Sequence, residues 1–413
     1  MKCTRRSFAK STLAAGMATS LGGCLPADQQ RNTVSVQEAG EGRILHLDGL
    51  SSPLKIASIE LLKKGSDHFI LTRSTDGATG ISVTNTRANY LYPILERLVI
   101  PCFVGKDARN LEQLIDDVYL YQSNYKMTNL ALWCPVAWVE FSILDMLGKA
   151  AGKPLAELFG GRLRSEIAIY AASGNRHTTG AQEIDVLKKH VAETGARAVK
   201  FKVGGRMSNN ADSIPGRSED LVKRVRRELG DAVAIYADAN GSYDAAHAIA
   251  LGRLMEDHGI DMFEEPCPFD WLEETRDVAE ALSIPVAGGE QEPSLRRFRW
   301  MIENRGVDIV QPDLHYNGGF IRAARVARMA AAAGLTVVPH MSGGGTGYVE
   351  VIHFASFTPN AGPFHEYKGS VEKSGTWYDP PLRLTDGKIN VPDRPGLGMT
   401  LDSGYLKDAQ KIV

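Results

Sequence analysis

Ala198-Val199-Lys200-Phe201-Lys202-Val203, Ala234-Ile235-Tyr236-Ala237-Asp238, Met262-Phe263-Glu264-Glu265, Val286-Ala287-Gly288-Gly289-Glu290, Ile309-Val310-Gln311-Pro312-Asp313 and Val337-Val338-Pro339-His340 are six short apolar runs, and each delivers a charged or histidine side chain at or near its end. Amphipathic stretches separate them, among them Ser218 to Leu229, Asp244 to Asp257, Leu272 to Leu282 and Ile321 to Ala333. Strands that alternate with helices predict a parallel sheet. Counted from Lys200, the polar positions advance by 38, 26, 26, 23, 27 and 26 residues, through Asp238, Glu264, Glu290, Asp313 and His340 to Glu366. Each step matches one βα unit, so these residues occupy equivalent places around a closed barrel, whose carboxyl-terminal strand ends form the catalytic face. A doubly wound open sheet would not bring six successive strand ends to one centre.

Working outward, Ile167-Ala168-Ile169-Tyr170 supplies an earlier strand, and the barrel is placed over residues 166 to 365, with 366 to 413 as a closing segment. Upstream, Pro135 to Leu147 reads as a largely apolar, buried helix stopped by Gly148-Lys149-Ala150-Ala151-Gly152-Lys153-Pro154. Leu91 to Leu98 and Leu111 to Tyr121 suggest further helices. Lys55 to Ile81 reads as two hairpin-linked strands, broken at Gly65-Ser66-Asp67 and Thr75-Asp76-Gly77. Together these make an α+β unit over residues 53 to 165. Residues 24 to 52 carry few apolar positions and are expected to form a polar tether, with order beginning near Leu54.

The first 23 residues read as an export signal rather than structure. Thr4-Arg5-Arg6-Ser7-Phe8-Ala9-Lys10 gives a twin-arginine pair, and the apolar stretch from Leu13 to Leu21 is too short to span a membrane. Leu21-Gly22-Gly23-Cys24 resembles a lipobox, which makes Cys24 a candidate for a lipid anchor. The expected location is periplasmic, reached by the twin-arginine route. Lys and Arg number 47 against 49 Asp and Glu, so the chain has no electrostatic footprint for nucleic acid. Cleavage would remove Lys2, Arg5, Arg6 and Lys10, leaving 43 basic residues and a charge of −6. The cysteines at 3, 24, 102, 134 and 267 form no CxxC pair, which argues against a structural zinc site or a disulfide framework.

Asp238, Glu264 and Glu290 are three acids in register, and a cluster of carboxylates in one mouth needs a cation or paired lysines to neutralise it. An all-oxygen donor set favours a hard ion such as Mg²⁺. Lys200 and Lys202 lie two apart on one strand and share its inward face, where desolvation and a nearby cation would lower a lysine pKa and make it a base. Asp313 and His340 resemble a dyad in which the carboxylate holds one ring nitrogen and leaves the other as base. These parts suit removal of a proton α to a carboxylate, with the developing charge stabilised where it forms.

Lys200-Phe201-Lys202, Asp238-Ala239-Asn240, Phe263-Glu264-Glu265-Pro266, Gly289-Glu290-Gln291, Gln311-Pro312-Asp313 with Gly318-Gly319, Pro339-His340 and His365-Glu366 resemble the mandelate racemase subgroup of the enolase superfamily. Leu144 to Leu155, ending in Leu158-Phe159-Gly160-Gly161, is similar to that family's junction between capping domain and barrel. The resemblance covers about residues 54 to 400. It implies a (β/α)₇β barrel with an α+β capping domain, Mg²⁺ on Asp238, Glu264 and Glu290, and a multimer. It also implies Lys202 as base with Lys200 assisting, His340 with Asp313 on the other face, and Glu366 donating a hydrogen bond to the substrate carboxylate.

Asn175, Arg176 and His177, with Asn240 and Tyr316, are candidate substrate contacts for a polyhydroxylated acid. Phe201, Tyr316 and the glycine-rich Ser342 to Gly347 are departures that bear on specificity. Dehydration of a sugar acid to a 2-keto-3-deoxy acid is the first expectation. Racemisation or epimerisation and cycloisomerisation share its first step and stay open. A non-catalytic, exported sugar-acid-binding lipoprotein is the reading of a different class.

Overall fold

The computed structural model describes residues 34–342, 347–369 and 378–413. The export signal, Cys24 and most of the glycine-rich segment after His340 lie outside the described residues. The first element is helix α1 (Val36–Glu41), started by a capping box between Ser35 and Glu38. Ile44 and Leu45 behind it are buried, and their backbone N–H groups donate to the Glu112 carboxylate at 3.0 and 2.9 Å. This corrects the expected polar tether for residues 34 to 52, the part of it that is described. Structure begins some twenty residues before Leu54, because the capped helix packs Val36 and Gly40 against the core, and Ile44 and Leu45 are buried in it and held by Glu112.

The amino-terminal unit pairs β1 (Ile56–Lys64), β2 (Asp67–Ser74) and β3 (Thr79–Val83) as an antiparallel meander, one strand more than the two hairpin-linked strands expected. Helix α2 (Ala88–Ile94) continues through a π-helical turn, Leu95–Val99, into Ile100–Phe103. Pro101 offers no N–H to the helical ladder there. Helix α3 (Leu111–Leu120) and the 22-residue α4 (Leu130–Ala151) complete the unit. By length and hydropathy α4 could cross a membrane, but it lies buried as the core helix of this unit. Gly80 lets β3 lie directly on it, since a Cβ at that position would come within 1.9 Å of the Ser142 carbonyl oxygen. From the other end of the chain, Gln410–Lys411 pairs with β1, so the carboxyl terminus completes this sheet.

The barrel follows as β4 (Glu166–Ala172), α5 (Gly180–Thr194), β5 (Ala198–Lys202), α6 (Arg217–Leu229), β6 (Ala234–Asp238), α7 (Ala245–Asp257), β7 (Met262–Glu264), α8 (Leu272–Ala281), β8 (Val286–Gly288), α9 (Leu295–Glu303), β9 (Ile309–Val310), α10 (Phe320–Ala332), β10 (Thr336–Val337), α11 (Tyr348–Phe357) and β11 (His365–Tyr367). Neighbouring strands from β4 to β10 pair in parallel, and β11 pairs with β4. A bridge between Val337 and Ala361 closes the ring. This is the (β/α)₇β barrel with its α+β capping domain.

Register explains where the polar residues fall. Lys202 pairs with Asp238, and Asp238 with Glu264, so three strands end level with one another. Along β5 the side chains alternate. Phe201 packs outward with Val199 and Val203 against Leu187 and Leu221, so it belongs to the core between barrel and helices rather than to the mouth. Ala198, Lys200 and Lys202 face inward, with Tyr170, Ala198 and Val338 filling the barrel below the lysines.

Candidate active site

Lys200 is fully buried and its ammonium is surrounded by carboxylates: Glu264 Oε1 at 2.5 Å, Glu366 Oε1 at 3.0 Å and Asp238 Oδ2 at 3.6 Å. The Tyr170 hydroxyl accepts from it at 3.3 Å. Burial disfavours this charge, but the carboxylates, Glu264 foremost, outweigh burial and hold the Lys200 pKa well above the ordinary lysine value. With no cation beside it, Lys200 is held as a cation by these carboxylates. Lys202, one pleat nearer the mouth, donates to Asp238 Oδ2.

Asp238 also accepts from the backbone N–H of Asn240 at 2.8 Å. Burial pushes its pKa up, while Lys202 and Lys200 together hold it well below the usual carboxylate range. Glu264 accepts from Gln311 Nε2 at 2.9 Å. Burial raises it, and the facing Asp238, Glu290 and Glu366 add to the rise against the pull of Lys200. Glu265 is raised further by burial and by Glu290, and its Oε1 is buried without a hydrogen-bond partner.

Among the described residues, no three acidic, histidine or cysteine side chains converge on one point as a preformed metal cage. Asp238 and Glu264 turn oxygens to the lysines, and Glu290 turns one to His340. The donor chemistry nevertheless fits a hard cation. Three carboxylates stand on consecutive strand ends, their mutual repulsion is visible in Glu264 and Glu265, and an unsatisfied carboxyl oxygen is buried beside them.

The dyad is well formed. Asp313 Oδ1 accepts the backbone N–H groups of His315 and Tyr316, each at 2.8 Å, and Oδ2 meets His340 Nδ1 at 2.7 Å. Asp313 and His340 are also joined by a backbone bridge between adjacent strands. The other ring nitrogen, Nε2, looks into the mouth, 3.2 Å from Glu290 Oε2 and 3.5 Å from Glu366 Oε2. Burial alone would depress His340, but Glu290 and Glu366 raise it above the ordinary imidazole value.

Glu366 stands at the last strand end, where burial would raise its pKa, yet Lys200, Lys368 and His340 hold it well below the carboxylate range. Of the candidate substrate contacts, Arg176 is tied down. Its guanidinium donates to the carbonyls of Val203 and Gly204 at 2.6 and 2.8 Å and to Asn240 Oδ1 at 2.6 Å. Asn240 is engaged as well, donating to Glu265 Oε2 at 3.2 Å. Arg176 and Asn240 thus build the wall of the site. Asn175 and His177 are exposed at the end of β4, and Tyr316 is buried with its ring 6.4 Å from that of His340.

Two residues were missed. Lys368 places Nζ 3.2 Å from His340 Nε2 and 3.0 Å from Glu366 Oε2. It lies two residues beyond Glu366, and the period of two that picked out Lys200 and Lys202 would have found it. Arg87, from the capping domain, sits with its guanidinium carbon 4.6 Å above the Tyr316 ring. No spacing signal connects it to the barrel.

The chain matches two family models: "Mandelate racemase / muconate lactonizing enzyme, N-terminal domain" over residues 45–160 and "Enolase C-terminal domain-like" over residues 183–405. It is 27% identical over 370 residues to an arabinonate dehydratase of Saccharolobus solfataricus, covering 88% of this chain and 93% of that one. It is 30% identical over 320 residues to a D-galactarolactone cycloisomerase of Agrobacterium fabrum, covering 74% and 81% respectively. Among solved structures, a mandelate racemase/muconate lactonizing protein of Paracoccus denitrificans complexed with magnesium superposes with a TM-score of 0.80 at 27% identity, covering 87% of this chain and 99% of that one.

Proposed function

Since the chain belongs to the mandelate racemase / muconate lactonizing enzyme family of the enolase superfamily, we propose that it abstracts the proton α to the carboxylate of a sugar acid and eliminates water to give a 2-keto-3-deoxy acid. The observation that carries this reading is the placement of two bases, Lys202 and the His340–Asp313 dyad, at the mouth around one cluster of carboxylates. Asp238, Glu264 and Glu290 would hold Mg²⁺, whose charge there stabilises the negative charge that builds on the substrate carboxylate.

Lys202 takes the α-proton onto Nζ. Lys200, fixed as a cation by Glu264 and Glu366, stabilises the negative charge left behind. Asp313 accepts from Nδ1 of His340 and orients the ring, so that when both ring nitrogens are protonated Nε2 gives its proton to the departing hydroxyl. The C–O bond breaks, water leaves, and the resulting enol tautomerises to the keto acid. General acid–base groups of this kind contribute roughly 10²–10⁴-fold each.

A panel of sugar acids with Mg²⁺, assayed for 2-keto-3-deoxy products and for α-proton exchange in D₂O, tests the reading. Exchange without dehydration would move the assignment to an epimerase, and no exchange with any acid would overturn it. We also propose, from Thr4 to Lys10 and Leu21 to Cys24, export by the twin-arginine route and anchoring through a lipidated Cys24. Fractionation that found an uncleaved cytoplasmic protein would contradict that.

A further inference from the structure

The capping domain reaches the barrel mouth through the loop between β3 and α2. Its anchor is Asn85, which is buried, donates from Nδ2 to Ser342 Oγ at 3.1 Å just past His340, and accepts the Arg87 backbone N–H on Oδ1 at 3.2 Å. The loop is thus tied to the barrel, and Arg87 is fixed at its root. The guanidinium carbon of Arg87 lies 4.6 Å over the Tyr316 ring, and Tyr316 is itself held by Asp313. Arg87 therefore hangs beside the dyad on the His340 side of the mouth.

The charge around Arg87 is unusual. Arg176, Arg217 and Arg322, the buried arginines, give their guanidinium protons to backbone carbonyls or neighbouring side chains. Lys200, Lys202 and Lys368 each hold a carboxylate. Arg87 is half-buried, and among the described residues its guanidinium has neither a carboxylate nor a hydrogen-bond partner, only the aromatic face. A partly desolvated cation without a counter-ion is costly to hold unless a ligand completes it. A guanidinium over an aromatic ring spends none of its N–H donors on a hydrogen bond to it, and its planar fork matches a carboxylate bidentately. Lys368 adds a second positive group on the same side of the mouth.

We infer that Arg87 is a specificity-determining residue that binds a second carboxylate at the far end of the substrate, so that the preferred substrates are sugar diacids rather than monoacids. The inference rests on the sugar-acid reading and narrows it. The first carboxylate is handled at the lysine and acid cluster, and the chain length of the diacid sets whether the second reaches Arg87. Recognition by a capping-domain loop also means that the diacid bridges the two domains.

Two measurements test this, one of them independent of turnover. In the presence of Mg²⁺, calorimetry with adipate and hexanoate compares an unreactive six-carbon diacid with a monoacid of the same length. The wild type should bind adipate at least tenfold more tightly, Arg87→Met should erase that preference, and Arg87→Lys should restore part of it. Kinetics with matched sugar diacids and monoacids should show Arg87→Met lowering kcat/KM about ten- to a hundredfold for the diacid, with the monoacid little changed. Equal binding of the two probes by the wild type, or an equal loss for both ligands in Arg87→Met, overturns the inference. If no sugar acid is turned over, the dehydratase reading fails, while the adipate and hexanoate affinities still decide the role of Arg87.

Discussion

Lys200 and Lys202 share a strand face yet differ in what surrounds them. The Lys200 side chain is 1% exposed and touches three carboxylates, whereas Lys202 is 11% exposed and touches one. Lys200 is thereby enclosed among carboxylates, while Lys202 stands nearer the mouth on a single one. Lys200→Met would leave Glu264 and Glu366 buried without their cation, a change that costs about 3–5 kcal/mol. Urea unfolding should show that loss, with a smaller one for Lys202→Met. Lys368 is 38% exposed, so Lys368→Met should leave the melting temperature nearly unchanged while lowering turnover by roughly tenfold, since it sits on the His340 nitrogen that handles the proton. The inward lysines could be read from a spacing of two, and the dyad from strand-end positions. Arg87 could not, because its place at the mouth depends on how a separate domain docks.

At the level of elements, the docking of α4 against α10 stands out. Glu140, fully buried on α4, accepts the backbone N–H groups of Phe320 and Ile321 at 2.6 and 2.9 Å, capping the start of α10 from another domain. Gly319 makes room for it, since a Cβ there would lie 1.9 Å from Glu140 Oε2. Burial raises the Glu140 pKa from 4.5 to about 8, against the two N–H groups. A group whose folded pKa is raised contributes stability that is present below its unfolded pKa and is lost as pH rises through the folded one. The stability of the wild type relative to Glu140→Gln should therefore fall between about pH 4.5 and 8 and level off above, as read from urea midpoints. The Gly318-Gly319 pair was legible as a motif, but its partner was not, since Glu140 lies 180 residues away. Helix α1 was missed for a different reason. Its signal is the Ser35–Glu38 capping box rather than any apolar periodicity. Strands β9 and β10 shrink to two residues each although their apolar runs are longer, because Pro312 and Pro339 give no N–H to the ladder, which resumes as a bridge between Asp313 and His340.

Across the whole molecule, the barrel ladder and most of the candidate site at its mouth were readable because one regular repeat governs them. A strand end every 23 to 27 residues after Asp238 is a consequence of barrel closure, and local sequence suffices to see it. What was not readable is long-range: the pairing of Gln410–Lys411 with β1, the seat of Asn85 on Ser342, and the placement of Glu366 between Lys200 and Lys368. The capping domain thereby does more than cover the barrel, for it is stitched to it by Glu140 at the start of α10 and by Asn85 on Ser342.

The central claim is that Lys202 removes the α-proton and His340 serves the departing hydroxyl. Deuterium incorporation at the α-carbon of a turned-over sugar acid, followed by NMR in D₂O with Mg²⁺, tests it most directly. The account predicts that Lys202→Ala loses both exchange and product, that His340→Asn keeps exchange but loses the keto acid, and that chelation stops the wild type until Mg²⁺ is restored. Exchange at the wild-type rate in Lys202→Ala would contradict it.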